Sequence, residues 1–173
     1  MRQRVFLVGP MGAGKSAVGR RLAHMLAFDF VDCDTYIEQR TGVDIAYIFE
    51  REGEAGFRHR EQQAIEALTL RDLTVVATGG GVVMDPANRS ALGSRGTVVY
   101  LRASVAQQYA RVRHSEHRPM LYQDDPQAAL DRLFTVRDPL YTALADVTID
   151  TDGARVIDVA SEVFDWLNSG IGS

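Results

Sequence analysis

An octapeptide near the amino terminus has the residue types and the spacing of a phosphate-binding loop. Residues 9–16 read GPMGAGKS, which fits the pattern G-x-x-x-x-G-K-[ST] between an apolar run and a helical pattern. Glycines in such a loop let successive backbone N–H groups turn toward phosphate oxygens, and the following helix adds the positive end of its dipole. We expect Lys15 to reach the β- and γ-phosphates of a nucleotide and the Ser16 hydroxyl to bind Mg²⁺. The remaining nucleotide contacts expected from this loop, to ATP if the protein is a kinase, come from Gly12, Ala13, Gly14 and Ala17.

The basic residue of this loop is unusual within the chain. Lys15 is the one lysine among 19 basic residues, so 18 are arginines. A compact ammonium suits a tight phosphate cradle, whereas a guanidinium is planar and wider. A guanine-specific switch would carry an N-K-x-D motif, which needs a second lysine, and motor ATPases are usually longer. A small kinase is therefore the leading class.

Two acidic residues follow the second apolar run of the chain. In FDFVDCD, residues 28–34, we predict a strand that ends Asp32-Cys33-Asp34, with both carboxylates pointing the same way. Near a metal–nucleotide complex one carboxylate can hold Mg²⁺, and the other can accept hydrogen bonds from substrate hydroxyls. The alternative is a strand end with solvated acids and a helix cap.

Two further motifs are consistent with a small anionic substrate. Arg58 and Glu61 are spaced i, i+3 on a predicted helix, so Glu61 can hold Arg58 in place while Arg58 binds a substrate carboxylate. The alternative is an ion pair on the helix surface. Three consecutive glycines, residues 79–81, follow a buried strand, and they suit a ligand that lies against bare backbone. The alternative there is a tight turn.

Strand and helix patterns alternate along the chain and would position these residues. This alternation predicts an α/β three-layer sandwich with a central parallel sheet of about five strands, and ligands then bind beyond the carboxyl ends of the strands. The predicted strands are 5–8, 28–34, 73–78, 96–102 and 146–151. The predicted helices are 15–26, one after the second strand, 53–70, 104–113, 126–144 and 154–168.

Composition sets the broad class. A chain of 173 residues with 46% hydrophobic residues is long enough for one folded domain. Its net charge of −4 gives no general electrostatic reason to bind nucleic acid or an acidic membrane. The single cysteine, Cys33, excludes an internal disulfide and fits a reducing compartment, and no apolar run is long enough to span a bilayer. We expect a cytoplasmic monomer with neither nucleic-acid nor membrane partners.

The combined motifs resemble those of the shikimate kinases, which are P-loop kinases related to the nucleoside monophosphate kinases. The matching segments are GPMGAGKS, DCD, FRHRE, TGGG, HRPML and RDPLY, and the likeness runs over about residues 5–152. The resemblance implies a single kinase domain with a substrate-binding helical insert at about 33–61 and a mobile lid at about 114–125. It also implies an ATP-dependent phosphotransferase that uses Mg²⁺ and converts shikimate into 3-phosphoshikimate, in the pathway to chorismate and the aromatic amino acids.

The resemblance also implies roles for particular residues. The substrate carboxylate is held by Arg58 and Arg137, and Asp34 binds the ring hydroxyls and orients or deprotonates the one that attacks. The remaining implied contacts are Gly80 and Gly81 as backbone donors, Phe49 and Phe57 as pocket walls, Asp32 near Mg²⁺, Arg111 on adenine, and the lid residue Arg118 on the phosphates. The implied catalytic residues are Lys15, Asp34 and Arg118.

Two other functions are open to the residues alone. A related P-loop kinase acting on gluconate or a nucleoside monophosphate would use much of the same machinery, since gluconate also carries a carboxylate and hydroxyls. A nucleotide-binding regulatory or scaffold protein without catalysis is the second alternative, although Lys15, Ser16, Asp32 and Asp34 are all present.

Overall fold

A computed structural model of the chain describes residues 3–113 and 125–170. The described residues form five strands: β1 (Arg4–Val8), β2 (Asp29–Asp32), β3 (Thr74–Ala77), β4 (Thr97–Arg102) and β5 (Val147–Asp150). Their helices are α1 (Lys15–Leu26), α2 (Cys33–Thr41), α3 (Ile45–Leu68), α4 (Pro86–Arg95), α5 (Val105–Val112), α6 (Pro126–Leu144) and α7 (Val156–Asn168), with a 3₁₀ turn at Val82–Met84. None of these helices has both the length and the apolar composition needed to cross a membrane.

The strands form one sheet in the order β2-β3-β1-β4-β5, and every neighbouring pair is parallel. The central strand β1 pairs on both sides, so that Phe6 lies opposite Val76 of β3 and Val98 of β4. Parallel strands buried on both faces read as continuous apolar runs, as β1, β3 and β4 do. The predicted parallel sheet of five strands is confirmed.

Successive residues of β1 point into two different hydrophobic cores. Phe6 and Val8 pack on the face covered by α2, α3, α4 and α6, whereas Val5 and Leu7 pack on the face covered by α1 and α7. This division follows from the two-residue period of a strand. The result is a three-layer arrangement with helices on both sides of the sheet, as predicted.

Two of the predicted helices, α1 and α6, begin and end at the predicted residues. The prediction for the end of the second strand is wrong, because β2 ends at Asp32 and both Cys33 and Asp34 lie in α2. The Asp32 side chain accepts a hydrogen bond from the Thr35 N–H at 3.1 Å and so caps α2. The two carboxylates therefore project from a cap and a first helical turn, not from one face of a strand.

Helix α3 contains a sharp kink at Gly53, whose φ of 71° and ψ of −177° are accessible essentially only to glycine. The kink divides α3 into a segment ahead of Gly53, which the sequence analysis missed, and the segment from Gly53 onward that it predicted. Phe49 and Phe57 lie on opposite sides of the kink, and their ring centroids are 4.7 Å apart. The kink thus brings two aromatic side chains together that a straight helix would separate by about two turns.

The described residues include the predicted substrate-binding insert but not most of the predicted lid. The α2 helix and the first half of α3 occupy the predicted substrate-binding insert at about 33–61. Of the predicted lid, residues 114–124, including Arg118, lie outside the described residues.

The contact between α1 and the sheet depends on a small residue. Gly19 is buried, and a Cβ atom there would lie 2.6 Å from Phe30 Cε2 and 3.2 Å from Leu7 Cδ1. We expect Gly19→Ala to lower the free energy of unfolding by about 1–3 kcal/mol, because α1 must shift away from the sheet. Urea denaturation measures this change.

Gly93→Ala in α4 is the matched control, since Gly93 is exposed and its Cβ would meet only Leu144 Cδ1 at 3.3 Å. The better helix propensity of alanine should leave that variant unchanged or stabilise it by up to about 1 kcal/mol. Equal stabilities for the two variants would contradict the packing described for α1.

Candidate active site

A cavity of about 730 Å³ opens at the carboxyl ends of β1, β2 and β3. Because the three strands are parallel, the segments that follow them meet at the same edge of the sheet. The loop after β1, the acids after β2 and the glycines after β3 all line this cavity. The three motifs found separately in the sequence thus belong to one site.

The loop between β1 and α1 has the conformation of a phosphate cradle. Gly14 adopts a left-handed conformation (φ 86°) and precedes the first residue of α1, which has no side-chain cap on its first turn. The Lys15 ammonium donates to the carbonyl oxygens of Gly9 at 2.7 Å and Pro10 at 2.8 Å, so it folds back over its own loop. An uncapped helix start and an ammonium at one cavity wall can together bind a polyphosphate.

A hydroxyl and a carboxylate meet beside this loop. Ser16 Oγ donates to Asp32 Oδ2 at 2.5 Å, and both residues line the cavity. Oxygen ligands of this kind suit Mg²⁺, which usually takes only one or two protein carboxylates and completes its shell with phosphates and water. The residues therefore fit a Mg²⁺–nucleotide complex, and the described part of the chain contains no cluster of three or more His, Cys, Asp or Glu that would indicate a separate metal site.

Arg58 also lines the cavity and is held there by a buried partner. Its Nη1 donates to Glu61 Oε1 at 2.9 Å, and Glu61 is only 1% exposed. Arg58 also lies 3.5 Å from Glu54 Oε1 and has its guanidinium 5.2 Å from the centre of the Phe57 ring. The alternative of a purely surface ion pair is thus excluded, since one partner is buried inside the cavity wall.

The environment of Glu61 perturbs its ionisation. Burial raises the pKa of Glu61 above its usual value, the Arg58 guanidinium opposes this rise, and the nearby Asp34 carboxylate adds to it. Glu61 Oε2 accepts no hydrogen bond from the described residues. A Cβ atom on Gly79 would lie 3.1 Å from that oxygen and 3.5 Å from Asp34 Oδ1, so two carboxylates flank the first glycine after β3.

The next two glycines lie between two guanidinium groups. A Cβ atom on Gly80 would lie 3.5 Å from Arg137 Nη1, and one on Gly81 would lie 2.6 Å from Arg58 Nη1. Arg58 belongs to α3 and Arg137 to α6. The two arginines are 79 residues apart in the sequence, and the fold brings them together around bare backbone. Two guanidinium forks beside backbone amides can bind a carboxylate with further polar groups.

Arg111 of α5 contacts the phosphate loop rather than this glycine segment. Its Nη1 donates to the Gly12 carbonyl oxygen at 3.2 Å, and the side chain is exposed at the cavity rim. Ala13 differs from its neighbours in the loop, because it is buried in the core beneath the cavity and does not line it. Its N–H points toward the Pro10 carbonyl oxygen at 3.4 Å.

Most residues singled out from the sequence come together in this cavity. Those that line it are Gly12, Gly14, Lys15, Ser16, Ala17, Asp32, Asp34, Phe49, Phe57, Arg58, Gly80, Gly81, Arg111 and Arg137. Ala13 lies behind the wall, and Arg118 lies outside the described residues.

The sequence analysis did not single out several residues of the site. Glu38, Asp44 and Ile45 line the cavity near the kinked helix, and Glu38 Oε2 accepts a hydrogen bond from the Ile45 N–H at 3.1 Å. Tyr141 lies outside the cavity lining, and its hydroxyl donates to the Gly80 carbonyl oxygen. The signals available for Tyr141 were its place at the end of the RDPLY segment and its position four residues after Arg137, which places both on one face of α6.

Comparisons with known proteins agree with this geometry. A family model described as shikimate kinase matches residues 11–168. A shikimate kinase from Halorhodospira halophila is 56% identical over 164 residues, which cover 95% of this chain and 93% of that protein. A shikimate kinase from Legionella pneumophila is 48% identical over 165 residues, covering 95% and 94% of the two chains.

A solved structure shows the same likeness in three dimensions. A shikimate kinase from Acinetobacter baumannii, in complex with shikimate, superposes with a TM-score of 0.94 at 44% identity and covers 96% of this chain and 93% of that one. The match of the family model over most of the chain, the identities and the shared fold lead to one conclusion: the chain belongs to the shikimate kinase family.

Proposed function

We propose that this chain transfers the γ-phosphoryl group of ATP to the 3-hydroxyl of shikimate and releases 3-phosphoshikimate and ADP. The observation that carries the proposal is the cavity itself, in which a lysine-bearing phosphate loop faces two arginines around bare glycine backbone. One wall suits a triphosphate, and the other suits a carboxylate attached to a small polar ring.

At the acceptor end, we assign the substrate carboxylate to Arg58 and Arg137. The buried Glu61 fixes Arg58 before substrate arrives, which reduces the conformational entropy lost on binding. Phe49 and Phe57 form an apolar wall for the ring. We assign to Asp34, which flanks Gly79, the role of accepting the proton of the attacking hydroxyl or of orienting that hydroxyl.

At the donor end, Lys15 would neutralise charge on the β- and γ-phosphates, and Ser16 and Asp32 would hold Mg²⁺ directly or through water. When bound, Mg²⁺ would supply positive charge to the phosphate oxygens. Arg111 at the rim is assigned to the adenine, and Arg118 is assigned to the transferred phosphate as part of a lid that excludes water. In phosphoryl transfer such positioning and charge neutralisation account for most of the catalysis.

An assay of ADP release with a panel of acceptors tests this function. We expect release that depends on shikimate and on Mg²⁺, with gluconate and nucleoside monophosphates giving no more than background. Turnover of gluconate or a nucleoside monophosphate in place of shikimate would overturn the assignment. The monomeric state and the cytoplasmic location stay predictions from the sequence.

The two guanidinium groups generate a prediction about substrate affinity. We expect Arg58→Ala and Arg137→Ala each to raise the KM for shikimate about 10- to 100-fold, since each removes a charged hydrogen bond to the carboxylate. The KM for ATP should change less than about twofold. Arg95→Ala is the matched control, because Arg95 pairs with Glu66 of α3 at 2.9 Å but does not line the cavity. A similar rise in the KM for shikimate and in the KM for ATP would refute the assignment of both arginines to the carboxylate.

The lone lysine generates a prediction about shape rather than charge. Lys15→Arg should lower kcat at least about a hundredfold, because a guanidinium cannot take the place of the ammonium inside the loop. Arg21→Lys, an exposed exchange on the same helix, should leave turnover unchanged. Steady-state kinetics at saturating ATP measures both variants, and near-normal turnover by Lys15→Arg would show that the loop does not require lysine.

The raised pKa of Glu61 predicts a pH dependence of stability. The folded state binds the Glu61 proton more tightly than the unfolded state does. The stabilisation that this proton gives to the folded state is therefore fully present below the ordinary pKa of 4.5, and it is lost as the pH rises through the raised pKa of Glu61. Relative to Glu61→Gln, the wild-type chain should therefore lose stability as the pH rises from about 4 to 8 in urea denaturation.

Glu66→Gln on the same helix provides a control of opposite sign. Arg95 lowers the pKa of the exposed Glu66 through a hydrogen bond, so the wild-type chain should gain stability relative to Glu66→Gln as the pH rises through the acid range. The same sign for both variants would contradict the description of Glu61 as a carboxylate whose burial outweighs its pairing.

A further inference from the structure

Tyr141 joins helix α6 to the glycine segment that follows β3. Its side chain is fully buried, and its hydroxyl donates a hydrogen bond to the Gly80 carbonyl oxygen. It lies one helical turn after Arg137, so both side chains leave α6 toward the same segment. The phenol lines a small crevice behind Arg137 and does not line the main cavity, so Tyr141 does not itself meet a substrate there.

The hydrogen bond constrains a peptide group that has no side chain to hold it. In a trans peptide the C=O of Gly80 and the N–H of Gly81 point in opposite directions. Fixing the Gly80 carbonyl toward Tyr141 therefore fixes the Gly81 N–H away from Tyr141. Backbone hydrogen bonds of the turn hold the flanking carbonyls, from the Val82 N–H to Gly79 at 3.2 Å and from the Met84 N–H to Gly81 at 3.1 Å. Tyr141 holds the Gly80 carbonyl that lies between them.

Tyr141 is itself held by a second tyrosine. The ring centroids of Tyr100 and Tyr141 are 4.8 Å apart, and the Tyr100 hydroxyl donates to Asp138 Oδ1 at 2.6 Å. Burial raises the pKa of Tyr141, which Arg137 partly opposes, so the phenol stays protonated and able to donate at neutral pH. A buried ring with a fixed neighbour and a protonated hydroxyl is a rigid anchor.

We propose that Tyr141 is a positioning residue for the acceptor substrate, because its hydroxyl aligns the Gly80–Gly81 peptide with Arg137. The inference rests on the proposed function and adds to it: the carboxylate site comprises an arginine and a backbone N–H, and the Tyr141 hydroxyl engages both sides through its interaction with Arg137 and its hydrogen bond to the Gly80 carbonyl. Loss of that bond loosens acceptor binding and leaves the phosphate loop untouched.

Tyr141→Phe tests the inference, since it removes one oxygen atom and keeps the ring pair. We expect the KM for shikimate to rise about fivefold to tenfold, while kcat and the KM for ATP stay within about twofold of wild type. Tyr100→Phe is the matched control, because it removes the other hydroxyl of the same ring pair, whose acceptor is Asp138. It should destabilise the fold to a similar degree without raising the KM for shikimate.

A rescue experiment separates a donor role from a packing role. Incorporation of 4-aminophenylalanine at position 141 restores a donor at the same place on the ring and should return the KM for shikimate to near the wild-type value. If Tyr141→Phe folds poorly, this variant still carries the test, since a donor role predicts normal acceptor affinity from it.

The outcomes distinguish this inference from the function on which it rests. Wild-type protein without shikimate-dependent ADP release would overturn both. An active wild type with an unchanged KM for shikimate in Tyr141→Phe would overturn the role of Tyr141 alone. An equal rise of that KM in Tyr100→Phe would also overturn it, because the effect would then come from general loosening of α6.

Discussion

The parallel direction of β1, β2 and β3 is the constraint on which the rest of this site depends. It brings three separate segments, at residues 9–17, 32–34 and 78–81, to one edge of the sheet. No segment forms a binding site alone: the first supplies a phosphate cradle, the second two carboxylates and the third bare backbone. Helices α3 and α6 then close the cavity with one arginine each.

The cavity is lined by four cationic side chains and five carboxylates, so anionic ligands would depend on where the cations lie and not on an overall positive charge. Cationic groups lie at both ends: Lys15 and Arg111 by the phosphate loop, and Arg58 and Arg137 by the glycine segment. A buried carboxylate, Glu61, holds one of these cations in place. Its burial is unfavourable for its own charge, and its pairing with Arg58 offsets part of that cost. The site thus uses a locally unfavourable group to preorganise a binding group.

The sequence predicted the elements whose patterns are local. The boundaries of α1 and α6 follow from apolar periodicity after a loop glycine and a proline, and β1, β3 and β4 follow from short apolar runs. Lys15, Asp32 and the glycines were found because they follow such runs, and Arg58 was found from its spacing to Glu61. The other site residues, Phe49, Phe57, Arg111, Arg118 and Arg137, came from the family resemblance alone. By contrast, α4 (PANRSALGSR) was not among the predicted helices, because it has few apolar residues in a helical period. It is held in the structure by packing of Ala91 and Leu92 in the core.

Other features depend on contacts that no local pattern contains. The local pattern at Asp32 left a strand end and a helix cap open as alternatives, and in the structure Asp32 caps α2 through the Thr35 N–H. The kink at Gly53 depends on a positive φ, which a glycine permits without requiring it. The link from Tyr141 to Gly80 joins residues 61 apart in the chain, so only the fold reveals it.

The central claim is that one cavity holds a triphosphate and a carboxylate-bearing acceptor in line for direct transfer. A crystal structure of the chain with shikimate and a non-hydrolysable ATP analogue tests it most directly. The account predicts the carboxylate within hydrogen-bonding distance of both Arg58 and Arg137, and the 3-hydroxyl between Asp34 and the terminal phosphate. A shikimate ring bound away from Asp34, Arg58, Gly80 and Arg137 would contradict it.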